Sequence, residues 1–182
     1  MINLGVTPSL SGWETHKYGN TCDPEYDTYL RGIDFSPDGS YFVVVTAGGA
    51  GYGTTGLCTS VARWESNRTG IHQEPTWVNY TGGDSLLSVS VTGAAIYAGG
   101  HQRWMDNPQG YDSEGPGAVP RPGIAAIHPT TGKSADIPWN PTRARGAGAG
   151  ILVATPNSLL VGGDTDQLGG EFHGRIGEFP LP

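Results

Sequence analysis

Residues 86–100 read Leu86-Leu87-Ser88-Val89-Ser90-Val91-Thr92-Gly93-Ala94-Ala95-Ile96-Tyr97-Ala98-Gly99-Gly100. The first six residues alternate in polarity, as a strand does when one face lies in a core. Thr92-Gly93 supplies a tight reversal, and residues 95–98 run back as a second strand into the glycine pair. A glycine pair at a strand end permits either positive φ or the close approach of another backbone.

The same order occurs twice more. Upstream, a strand at 30–35 is followed by the turn Ser36-Pro37-Asp38-Gly39, a second strand at 41–46, the pair Gly48-Gly49 and a third strand at 60–65. Downstream, a strand at 148–153 is followed by Thr155-Pro156-Asn157-Ser158, a strand at 159–161, the pair Gly162-Gly163 and a last strand at 174–179. The middle copy has its third strand at 123–128. Gly49, Gly100 and Gly163 stand 51 and 63 residues apart, periods that suit four-stranded propeller blades with generous loops. Fourth strands are expected at 75–80 and 137–140, and residues 10–14, with Trp13, read as the same element left from a preceding blade. The expected fold class is therefore all-β, a β-propeller of about three blades: a remnant at 1–29, blades at 30–80 and 86–141, and a terminal blade at 146–182 without its fourth strand. Short strands with regular turns also suit a β-sandwich; the thrice-repeated order favours the propeller.

These residues carry a resemblance. Val161-Gly162-Gly163-Asp164, followed by Gly169-Gly170 and Arg175-Ile176, resembles the repeat of delta-60-repeat propellers of bacterial surface and secreted proteins. Tyr97-Ala98-Gly99-Gly100, followed by Ile124-Ala125-Ala126-Ile127 and Thr131-Gly132, resembles it too. Phe35-Ser36-Pro37-Asp38-Gly39-Ser40-Tyr41-Phe42, Gly99-Gly100-His101-Gln102-Arg103-Trp104 and Gly170-Glu171-Phe172-His173-Gly174-Arg175 are similar to the C-terminal part of secreted actinobacterial propeller proteins of unknown function. The resemblance spans roughly residues 10–182 and implies a fold and an exported origin, but no activity. The first copy departs from the pattern, with Thr46-Ala47 before its glycines.

Composition narrows the function classes. Thirty Gly and fourteen Pro would suit a disordered chain, but they punctuate apolar runs, and only 15% of residues are charged. A net charge of −7 without a basic cluster argues against nucleic acid as a partner. No run approaches the roughly 18 apolar residues of a membrane-spanning helix. Residues 1–10 lack a basic start and apolar core, so an export signal is expected to have been removed or to lie in a longer precursor. Cys22 and Cys58 have no other metal ligand at suitable spacing. They are either two inert thiols or, as preferred here, a disulfide; closing that loop contributes roughly 3–4 kcal/mol and implies an oxidising, secreted or cell-surface setting.

Three blades cannot close a ring, because closed propellers use about four to eight. An open fan would expose the faces of its end sheets. The ring is expected to be completed by another copy of the chain or by missing N-terminal blades.

Loops that follow the glycine pairs emerge on one rim, which brings together His101, Gln102, Arg103 and Trp104 with Asp164 and Asp166. A Trp beside Arg, Gln and His suits sugar recognition by ring stacking and hydroxyl hydrogen bonding; equally, Trp104 could wedge between blades with Arg103 as a structural ion pair. Asp164 and Asp166 are carboxylates two residues apart on a loop, a calcium candidate, although a turn-capping Asp164 explains them as well. The long insertion 105–121, with Asp106, Asp112 and Glu114, and the loop 50–57 are further places for a ligand. Glu171 and His173, with Asp164 or Asp166, are the candidate acid–base groups of an enzyme, a glycoside hydrolase or lyase. No Gly-x-Ser-x-Gly, His-Glu-x-x-His or phosphate loop accompanies them. Asn67-Arg68-Thr69 and Asn79-Tyr80-Thr81 match glycosylation sequons and, if used, would mark exposed turns. The reading that follows is a non-catalytic binding or scaffold domain of an exported bacterial protein, with an extracellular glycan or protein at the rim. The alternatives are a carbohydrate-active enzyme and a purely structural assembly subunit.

Overall fold

The computed structural model describes residues 1–19, 22–25, 27–48, 56–141 and 148–181. Gly49 and residues 50–55 of the first post-glycine loop lie outside them, as do 142–147. The described residues form strands and turns and no helix, so no helix is long and apolar enough to cross a membrane.

Three antiparallel meanders follow the three sequence copies. The first sheet orders Tyr29–Phe35, Tyr41–Ala47, Ser60–Glu65 and Trp77–Tyr80; the middle sheet Leu86–Val91, Ile96–Gly100 and Ile124–Ile127; the third Ala149–Ala154, Ser158–Gly163 and Ile176–Pro180. Each leading strand carries a register shift at the same place, between Leu30 and Gly32, Leu86 and Ser88, and Ala149 and Ile151. The turns repeat as well. Thr92 Oγ1 accepts the amide of Ala95, and Thr155 Oγ1 that of Ser158, both at 3.0 Å. These hydroxyls hold tight reversals that glycine alone would leave loose.

The sheets stack face to face in series. Val43, Val45 and Val61 of the first meet Val89, Val91, Ile96 and Ile127 of the middle sheet. Tyr97, Ile124 and Ala126 on its other face meet Leu152, Leu159 and Val161 of the third. Each such fully buried aliphatic side chain contributes roughly 1.5–3 kcal/mol. The glycine pair makes this stacking feasible by close approach, not by positive φ. A Cβ on Gly99 would lie 2.6 Å from the Ala149 carbonyl, and one on Gly100 2.4 Å from that of Ser85.

The leading strand of each sheet has a ladder on one side only, so the buried amides on its other edge need partners. The preceding sheet supplies them. Asp34 Oδ2 accepts the Val91 amide at 2.7 Å, and one joint further on Ser90 Oγ accepts the Ala154 amide at 2.9 Å. Ser88 Oγ also donates to the Ala149 carbonyl at 2.9 Å.

Two expected strands are absent. Residues 10–14 join none of the three meanders: Leu10 pairs with Ile2 in a separate two-stranded ribbon, and Trp13 makes an isolated parallel bridge to Gly70 and stacks edge-on against Phe42 and Trp64 of the first sheet. Residues 137–140 also stay outside the ladders. Pro138 has no N–H to offer, the Ile137 carbonyl accepts from Arg121 at 2.9 Å, and Trp139 instead stacks on Tyr97 and Phe179. The Cys22–Cys58 disulfide, Cα–Cα 5.7 Å, ties the N-terminal cover to the start of the first sheet's third strand. Among the described residues the sheets do not close into a ring.

Two carboxylates are held below their ordinary range in the folded chain. Asp38 accepts hydrogen bonds from the hydroxyls of Ser36 and Ser40 and the Ser40 amide, which hold its pKa down at about 2. Burial pushes Glu65 up, but hydrogen bonds from Arg63 and Thr76 outweigh it and leave the group lowered. A carboxyl depressed in the folded state contributes stability that is complete above its unfolded pKa and lost as pH falls through the folded one. The urea midpoint is therefore expected to hold steady down to about pH 5 and to drop between about pH 4 and 2; Asp38→Asn should flatten part of that drop.

Candidate functional site

The ends of the second strands and the starts of the leading strands meet at one end of the stack, and each joint leaves a notch there. At the first joint a groove of about 420 Å³ is lined by Glu25, Asp27, Tyr29, Arg31, Gly48 and Ser85. Ser85 Oγ bridges the two sheets, accepting the Gly48 amide at 3.4 Å and donating to its carbonyl at 3.2 Å. The Tyr29 hydroxyl donates to Asp27 at 3.1 Å, and the Arg31 guanidinium lies 4.7 Å from the Tyr29 ring centroid. That hydrogen bond and the Asp27 charge raise the phenol above its ordinary pKa. None of these residues was singled out among the candidates. A signal existed: Asp27, Tyr29 and Arg31 have the period-two spacing that puts three side chains on one face of an extended chain.

At the second joint a groove of about 370 Å³ is lined by Leu87, His101, Gly148, Ile151, Gly163 and Asp164. His101 and Asp164, expected on one rim from their equivalent positions after the glycine pairs, thus share a surface. Asp164 Oδ1 accepts the Gly148 amide at 3.0 Å. Asp166 is exposed, and its carbonyl accepts the His173 amide. Among the described residues no three His, Cys, Asp or Glu side chains converge in a way that could hold a metal ion.

The other three residues of the His101–Trp104 run separate. Gln102 does not reach the rim: it is fully buried, with Nε2 donating to the Ala98 carbonyl at 3.3 Å. Its carbonyl accepts the Gly123 amide, so the chain is held inward at this point. Trp104 stands on a short ribbon, Trp104–Met105 paired with Val119–Pro120, and Arg103 immediately precedes it. The Arg103 guanidinium is clamped by Asp84, at 3.0 Å to Nε and 2.8 Å to Nη2, and by Asp112. The Asp84 hydrogen bonds outweigh burial and raise its pKa. It sits 4.5 Å from the Trp104 ring centroid, leaving that ring partly exposed.

The insertion behind this ribbon is pinned, not loose. Fully buried Met105 anchors it, and the Asp106 carboxylate accepts from Asn79 Nδ2 and the amides of Ser134 and Ala135. Asn107 Nδ2 donates to the carbonyls of Thr81 and Ser113, and its Oδ1 accepts the Gly115 amide. Asn79 is buried in this network, which removes the second sequon from glycan attachment; Asn67 is exposed.

Of the candidate acid–base groups, the structure brings Glu171 and His173 together at an open two-stranded ribbon. Exposed Glu171 pairs with half-buried His173, Oε2 to Nε2 3.6 Å. Glu171 lies opposite Leu168 on its ribbon, whereas Asp166 precedes the other strand, and both carboxylates are exposed. Such an arrangement offers water-screened charges and no enclosed acid–base pair.

Comparison with known proteins adds no relative: no family model, curated protein or solved structure matches the chain.

Proposed function

We propose that this chain is a binding module of an exported bacterial protein, built as part of a β-propeller with each sheet a blade, and that it takes an extracellular glycan at the notched rim. One observation supports the reading above all. The same end of the stack presents two aromatic–arginine–aspartate sets, Tyr29 with Arg31 and Asp27, and Trp104 with Arg103, Asp84 and Asp112. A saccharide offers C–H faces to an aromatic ring and hydroxyls to charged neighbours that already hold fixed orientations. Preorganised charges of this kind lower the ordering cost of binding. The Cys22–Cys58 disulfide supports an oxidising, extracellular setting.

Binding to an immobilised oligosaccharide array is the test. For the best-bound saccharide, Trp104→Ala and Tyr29→Ala are each expected to weaken affinity about tenfold or more. Asn157→Ala, in a turn at the opposite end of the strands, should change neither affinity nor thermal midpoint. Wild-type affinity in both aromatic variants would sink the glycan reading.

A further inference from the structure

The two end faces of the stack are the unmatched halves of its internal joint. On the first sheet Leu30, Ile33 and Phe35 are 56%, 61% and 48% exposed. Their counterparts by strand register on the middle sheet, Leu86, Val89 and Val91, are buried against the preceding sheet. On the third sheet Ile151 and Val153 are 63% and 48% exposed, where the middle sheet has buried Ser88 and Ser90 facing the sheet that follows. The polar hook of the inner joints is missing at both ends. Val153 replaces the accepting Asp34 and Ser90, and the Phe35 amide is already taken by its own Asp34 at 2.9 Å. What remains to meet is apolar on the first sheet and, on the third, apolar around the exposed Glu178, which stands in register with Leu160 and Val153.

The tryptophans point the same way. Trp77, from the first sheet's fourth strand, reaches across to the middle sheet and donates to the Pro129 carbonyl at 2.9 Å. Trp13 makes the matching contact on the first sheet, donating to the Glu65 carbonyl at 3.2 Å. Trp13 thus stands on the first sheet as Trp77 does on the middle one, and among the described residues the third sheet, like the middle one, has three strands.

We infer that two copies of this chain assemble head to tail, the third sheet of each covering Leu30, Ile33 and Phe35 of the other, to close a ring of six blades. Such a dimer has two identical heterologous joints about a two-fold axis. Six blades fall within the range of closed propellers and three do not. The contact continues the joint that the chain already makes twice within itself, with Trp13 of one copy beside the open edge Ile176–Pro180 of the other. The inference rests on the propeller reading and not on the ligand.

Sedimentation of the oxidised chain at micromolar concentration is expected to give twice the 19.1 kDa chain mass. Ile33→Glu and Ile151→Glu should each raise the dimer dissociation constant about 100-fold, with the strand circular dichroism unchanged. By equivalence with the Ser90–Ala154 contact, Val153→Cys combined with Phe35→Cys should give a covalent dimer, whereas neither single cysteine variant should. A monomer throughout the micromolar range, a dimer indifferent to both charge variants, or cross-linking by a single cysteine variant would each overturn the inference. So would a ring closed by further repeats of the same polypeptide. Saccharide binding by a stable monomer would refute the dimer alone; a dimer that binds no saccharide would refute the ligand alone.

Discussion

Gly148→Ala is expected to unfold the protein or to destabilise it by more than about 4 kcal/mol, the range reserved for a backbone clash within a core. Gly148 has φ +135°, which an L side chain rarely adopts, and its added Cβ would lie 1.4 Å from the Gly100 carbonyl oxygen. No rotamer relieves that overlap, because both partners are main chain. Relief requires moving the start of the third sheet's leading strand away from the end of the middle sheet's second strand. That displacement also breaks the bond from the Gly148 amide to Asp164. Gly150→Ala is the control two residues on. Its Cβ would meet nothing within 4 Å, and the change should stay within about 0.5 kcal/mol. Urea unfolding of both variants checks the pair; equal midpoints would mean that the two sheets are not joined as described.

Trp64→Ala should cost about 3–5 kcal/mol, the usual range for emptying a buried aromatic site. Trp64 is fully buried between Phe42 and the N-terminal cover, in edge contact with Trp13, and its Nε1 donates to the Tyr18 hydroxyl at 3.0 Å. Removal of the indole takes from the cover its contact with Trp13 and the hydrogen bond to Tyr18. A second readout separates this from general loosening. Burial raises the Tyr18 phenol well above its ordinary pKa of 10, so exposure of the cover should bring one tyrosine titration back towards that value. Ultraviolet titration of folded wild type and variant measures it; an unmoved tyrosine would show that the cover is held by other contacts.

Much of the stack was legible in the chain because the repeat is carried by local chemistry. Thr92 and Thr155 close their turns through their own hydroxyls, and Pro37-Asp38-Gly39 needs no distant partner. The glycine pairs were legible too, although their reason was not: Gly99 is required by Ala149, fifty residues away. The failures lie where tertiary partners decide. Gln102 sits among polar neighbours in sequence yet turns inward. Asn79 belongs to a sequon, but Asp106 and Gly132 occupy its amide. Residues 137–140 have strand composition, yet Arg121 claims the backbone that a ladder would use. Tyr29 and Arg31 read as ordinary strand residues until Ser85 of the neighbouring sheet completes their groove.

The hydroxyl-to-amide hook between sheets makes the stack directional. Only the middle unit bears both a free-standing acceptor for its successor, Ser90, and an amide bound by its predecessor, Val91. Tandem copies of residues 84–141 would therefore present matched partners at every seam. At the outer units the hook is replaced: the first spends the Phe35 amide on its own Asp34, and the third carries Val153 where the middle one has Ser90.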